Sequence, residues 1–124
     1  MGSSEALQIA QEIKRQLIEG DLMRFYSWGA KGFSYDDRIE EAGEVSLLFQ
    51  VNGAIFKGKV RVTLVMGADH YRVELFRPLT GEAEKSFEPV YCDNLAELID
   101  GEVEKPSHIT RKGEYMDFLR QSAA

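Results

Sequence analysis

The pair Asn52-Gly53 stands between two stretches of alternating character, and it constrains the fold more than any other feature of the chain. Before it, Val45, Leu47, Phe49 and Val51 alternate with Ser46, Leu48 and Gln50. After it, Phe56, Gly58, Val60, Val62 and Leu64 alternate with Lys57, Lys59, Arg61 and Thr63. A period of two places every second side chain on one face of a strand. Asn-Gly is the pair that supplies positive φ to a two-residue type I′ turn. Such a turn predicts pairing of Val51 with Ala54, Phe49 with Phe56, Leu47 with Gly58 and Val45 with Val60. Both apolar rows then share a face, which a slip of one residue would destroy.

The pattern extends the sheet. Gly67-Ala68-Asp69 predicts the next turn, and Tyr71, Val73 and Leu75 alternate with Arg72, Glu74 and Phe76. With Ala68-Asp69 at its centre, Leu64 faces Val73 and Val62 faces Leu75, and Glu74 stands opposite Thr63. Pro78-Leu79-Thr80-Gly81 is a further turn, and the polar run Glu82–Phe87 reads as a fourth, edge strand closed by Pro89. Helical spacing of Ala6, Ile9, Ala10, Ile13 and Leu17 predicts an amphipathic helix over Ser4–Glu19, capped by Ser3 or Ser4 and ended by Gly20. Asp21 is placed to cap a short second helix through Leu22, Met23, Phe25 and Tyr26; an aromatic-rich loop and a polar stretch follow, up to Gly43. Asn94 with Glu97 resembles a capping box for a helix carrying Leu95, Leu98, Ile99 and Val103, stopped by Pro106. A last short helix is expected over Arg111–Gln121, in an extension beginning near 107. The expectation is a single α+β domain over 1–124. Its N-terminal helix precedes a four-stranded antiparallel meander, and the C-terminal helix or helices pack with it on one sheet face.

A chain of 124 residues, 44% hydrophobic and 29% charged, is long enough to bury one core. Its net charge of −6 and pI near 5.0 argue against non-specific binding to nucleic acid or anionic membrane, although a local basic face can sit on an acidic protein. The N-terminus has neither the basic nor the apolar region of an export signal, and no apolar stretch approaches membrane-spanning length. With a single cysteine and hence no disulfide framework, a cytoplasmic protein without membrane association is expected.

Two surfaces stand out as candidates for binding. Lys57, Lys59 and Arg61 project from the outward face of one strand, with Arg72 on its neighbour and Phe76 nearby. Such a face can hold nucleic acid through phosphate contacts and stacking. Equally, Glu74 among these cations fits ordinary cross-strand ion pairing on a solvated face. The second candidate is the aromatic segment with Phe25, Tyr26, Trp28, Phe33 and Tyr35: either a recognition loop or a cluster that seals the end of the sheet. Trp28, Phe33, Tyr35 and Phe76 are the residues through which a partner protein, or a second copy of the chain as a homodimer, would bind.

Signals for chemistry are weak. Asp69-His70 could form an oriented general base, but a turn residue followed by a strand start explains both locally. Cys92 reads as a small buried or half-buried hydrophobe. His70 and the distant His108, with scattered carboxylates, lack zinc-ligand spacing. Asp36-Asp37 and Glu40-Glu41 lack the alternation of a calcium loop, and Gly29 and Gly32 match no phosphate-binding fingerprint. No cofactor and no metal are expected, and a catalytic role is disfavoured.

The run Leu48-Phe49-Gln50-Val51-Asn52-Gly53, then Phe56-Lys57-Gly58-Lys59-Val60, Gly67-Ala68-Asp69, and Val90-Tyr91-Cys92-Asp93-Asn94-Leu95 leading into a Leu-Ile-Asp helix resembles small bacterial proteins, including those of gut bacteria, that carry no assigned activity. The likeness covers about Val45 to Val103. It consists of fold-making residues and implies no function. The reading is therefore a protein-interaction or self-association domain, with nucleic-acid binding through Lys57, Lys59, Arg61 and Arg72 as its alternative and a small enzyme third.

Overall fold

The computed structural model describes residues 2–19, 22–78 and 82–104. Gly20, Asp21, part of the turn after Pro78, Pro106, His108 and the helix expected over Arg111–Gln121 lie outside them. The first helix, α1 (Gly2–Ile18), is followed by α2 (Leu22–Ser27), β1 (Lys31–Arg38), α3 (Ile39–Ala42), β2 (Glu44–Asn52), β3 (Lys57–Val65), β4 (His70–Phe76), β5 (Lys85–Val90) and α4 (Leu95–Val103). The strands form one antiparallel sheet in the order β1-β2-β3-β4-β5.

The sheet therefore has five strands rather than four. The additional one, β1, occupies part of the segment whose glycines and aromatics read as a loop. Its alternation is hidden because the pairing shifts between Lys31 and Ser34, where Gly32 has φ 68. A bulge lets one extra residue interrupt the period of two. The final strand is also displaced, to Lys85–Val90, so that Pro89 lies inside β5 rather than beyond it. β5 is an edge strand, the position where a missing backbone donor is tolerated.

The hairpin keeps its faces but not its register. The observed partners are Val51↔Gly58, Phe49↔Val60, Leu47↔Val62 and Val45↔Leu64. Val51 thus meets Gly58 instead of Ala54, a displacement of four residues (58 − 54). An even shift returns every side chain to its expected side. Neither Asn52 nor Gly53 has positive φ, so no type I′ turn forms. The connection is instead the four residues Gly53–Phe56, held by the end of α4. The N–H groups of Ile55 and Phe56 both donate to the Val103 carbonyl, at 3.0 and 3.1 Å. The N–H of Ala54 donates to Glu104 Oε1 at 3.2 Å. A Cβ at residue 53 would lie 2.3 Å from that Val103 oxygen, so Gly53 is required for close approach. Between β3 and β4 the register moves by two, giving Val62↔Val73 and Val60↔Leu75, with Glu74 opposite Arg61. Here it is Asp69, at φ 57, that carries the left-handed conformation.

One sheet face and both longer helices share the core. Ala10, Ile13 and Leu17 of α1 and Leu95, Ala96, Ile99 and Val103 of α4 pack with Leu47, Phe49, Val51, Val60, Val62, Val73 and Leu75. Burial of apolar side chains of this size contributes roughly 1.5–3 kcal/mol each. Asn94 does not cap α4 with its side chain; its Oδ1 accepts from the Tyr91 N–H at 3.1 Å. Among the described residues no helix is long and apolar enough to cross a membrane. Among the described residues no helix covers the outer sheet face, and the end of that face nearest the β2–β3 connection carries the candidate site.

Candidate functional site

Alternation and register together build the outer face. Lys31↔Gln50, Gln50↔Lys59 and Lys59↔Phe76 form one cross-strand row. Leu48↔Arg61 and Arg61↔Glu74 form the next, and Ser46↔Thr63 and Thr63↔Arg72 the one after. At the end nearest the β2–β3 connection these rows leave a groove of about 600 Å³. Leu48, Phe76 and Pro78 give it apolar surface, and Lys31, Lys57, Lys59, Arg61 and Arg77 give it charge; among the described residues no carboxylate lines it.

Those cations fall into two groups. Arg61 Nε donates to Glu74 Oε1 at 2.8 Å while its guanidinium lies 5.0 Å from the centre of the Phe76 ring. Arg77 pairs with Glu84 at 2.5 Å and lies 4.9 Å from the Phe56 ring. The hydrogen bond from Arg77 lowers the titration of the Glu84 carboxyl, and the same bond raises that of the Arg77 guanidinium. Lys31, Lys57 and Lys59 make no ion pair among the described residues. They hold the charge that remains to be matched.

Arg72, expected beside them, belongs to a different neighbourhood. It binds Glu44 at 2.8 Å and has Glu74 and Glu88 each at 3.9 Å. Under it Ser46 and Thr63 are buried and share a 2.7 Å hydrogen bond. Of the basic set read from sequence, Lys57, Lys59 and Arg61 reach the groove; Arg72 does not. Lys31 and Arg77 were missed. Lys31 was assigned to a loop, and Arg77 lies just past the end of its strand, so neither carried the alternation that marked the others.

The four aromatic residues expected to form a docking surface are not brought together. Trp28 is fully buried, and its Nε1–H donates to Asp100 Oδ1 at 2.9 Å. Its ring centre is 5.5 Å from that of Phe25; Phe33 is 6.2 Å from Phe25 and 5.1 Å from Phe49. Phe33 is half-buried beneath Lys14 Nζ, 4.1 Å from its centre. These rings seal the core. Tyr35 is 39% exposed on β1, whereas Phe76 is half-buried on the opposite sheet face.

Other candidate groups are placed as follows. His70 Nε2 lies 2.9 Å from Glu88 Oε2, so its partner is on β5 rather than at the neighbouring Asp69. Cys92 is exposed, rather than the buried or half-buried hydrophobe expected, because it follows β5 in the turn before α4. It borders a hollow of about 390 Å³ that also touches Glu19, Asp93 and Glu97. Asp37 Oδ1 accepts from the Ile39 N–H at 3.2 Å at the start of α3. Among the described residues no three His, Cys, Asp or Glu side chains are grouped to hold a metal ion.

No family model matches the chain, and no curated protein or solved structure matches it.

Proposed function

We propose that this chain is a binding domain that performs no chemistry of its own and uses the open face of its sheet to hold an anionic partner. One observation carries the reading. On a chain of net charge −6, the groove at the end of the outer face is lined by Lys31, Lys57, Lys59, Arg61 and Arg77 and, among the described residues, by no carboxylate. Concentrated charge in a low-dielectric concavity raises the local density of the opposite ion, whatever the sign of the whole molecule.

Retention on a phosphate-bearing cation-exchange matrix at pH 7 and low salt tests this. A protein of pI near 5.0 is expected to flow through such a matrix unless a local face binds. The wild-type chain should be retained and should elute as salt rises. The variant with Lys31, Lys57 and Lys59 all changed to Gln should flow through while keeping its melting temperature. Flow-through of the wild-type chain would end the proposal.

A second reading, protein docking or self-association, is favoured by α2. Leu22, Met23 and Tyr26 share one helical face and are 46%, 74% and 62% exposed. Solution mass measured by light scattering over a range of concentration tests it. Association should be concentration-dependent and weakened by Met23→Lys; a constant monomer mass argues against self-association.

A further inference from the structure

Resting on the reading that the open sheet face binds anions, we propose that the groove is a site for a compact amphipathic oligoanion. This is a small organic molecule with a flat or aliphatic body carrying two or more phosphate, sulfate or carboxylate groups. The volume of about 600 Å³ falls in the range of small-molecule sites, roughly 300–1,000 Å³. Such sites pair an apolar floor with a few placed polar groups. Leu48, Phe76 and Pro78 supply the floor.

The charge is arranged for more than one anionic group. Lys57 and Lys59 point the same way along β3, about 7 Å apart at two residues of rise. Lys31 stands across β2 from Lys59, two strand spacings or roughly 10 Å away. Arg61 and Arg77 are already matched by Glu74 and Glu84, so they act as fixed walls, and the three lysines supply the unmatched charge.

The face also limits how long a ligand can be. From Lys57 to Arg61 the cationic run is about 13 Å. Beyond it one guanidinium, that of Arg72, faces the three carboxylates of Glu44, Glu74 and Glu88. Across the strands the row stops at the Arg77–Glu84 pair. A nucleic-acid strand running along the face would pass from lysines onto glutamates and meet repulsion. A compact ligand stays within the cationic end.

The test uses the full isotope-labelled chain and three probes, followed by amide chemical shifts. Hydroxypyrene trisulfonate has a flat body and several charges, tripolyphosphate has charge without a body, and a long oligothymidylate is a continuous polyanion. The trisulfonate should move resonances of Lys31, Leu48, Gln50, Lys59, Arg61 and Phe76, and bind about tenfold or more tighter than tripolyphosphate. The variant Lys57→Gln with Lys59→Gln should lose about tenfold in affinity while its other resonances stay in place. Equal affinity for tripolyphosphate would show that the apolar floor is unused and overturn this inference, leaving anion binding intact. Tighter binding of oligothymidylate, with shifts spreading across the Arg72 row, would make the partner a nucleic-acid strand and overturn it in the same way. If no probe moves an outer-face resonance, both this inference and the function it rests on fail.

Discussion

Asp100 is a buried carboxylate in the core, and the indole N–H of Trp28 is the side-chain donor aimed at it. A buried acceptor left without its donor costs its desolvation, about 1–3 kcal/mol and more for a charged group. Trp28→Phe keeps a ring but removes the donor, so it is expected to destabilise the fold by about 2–4 kcal/mol when the smaller volume is included. Asp100→Asn retains an acceptor and should cost less; urea denaturation of both variants measures the difference. Tyr71 gives a second prediction at this scale. Burial raises the titration of its phenol above the ordinary 10.0, against the opposing effect of Gln16. Its O–H donates to Gln16 Oε1 at 2.9 Å. The folded state therefore holds this proton to higher pH than the unfolded chain. The stability it contributes is complete below pH 10 and is lost as pH rises through the native value. Melting temperature should fall more steeply above pH 10 in the wild-type chain than in Tyr71→Phe.

The four-residue connection between β2 and β3 and the last turn of α4 complete each other's hydrogen bonding. A helix C-terminus leaves carbonyls without partners, and a tight connection leaves N–H groups without them. Val103 O accepts two of those donors, from Ile55 and Phe56. Gly53→Ala places a methyl group 2.3 Å from that backbone oxygen, which cannot rotate aside. The expected cost is about 1–3 kcal/mol, the range for overpacking. Hydrogen exchange should then quicken at Ile55 and Phe56 before it does in the centre of β3. Faster exchange throughout the sheet with no local preference would contradict this picture.

Across the molecule, the described helices pack on one sheet face, and the cations of the proposed site stand at one end of the other. The core joins α1, α2, α4 and the sheet, and Trp28, the single tryptophan, sits among them. Its fluorescence should report global unfolding, with a transition coincident with far-UV circular dichroism. An earlier loss of helical signal would show α1 or α4 detaching alone. The α+β class, the amphipathic α1, the face on which each residue of β2, β3 and β4 lies, and Lys57, Lys59 and Arg61 on the outer side were legible because they follow from periods of two and 3.6, which are local. β1 was not, since a bulge broke its period, and Arg72 was grouped with the wrong neighbours because its three carboxylates come from β2, β4 and β5. The hairpin shows the boundary between the two. Sequence by itself determined that β2 and β3 pair and which sides turn inward. The loop length and the four-residue displacement were decided by the tertiary structure, because the partners for the loop's donors come from the end of α4, with Glu104 lying 50 residues beyond Ala54. A local turn preference is a weak term beside the three hydrogen bonds that the end of α4 accepts from this connection, so the distant contact set the register.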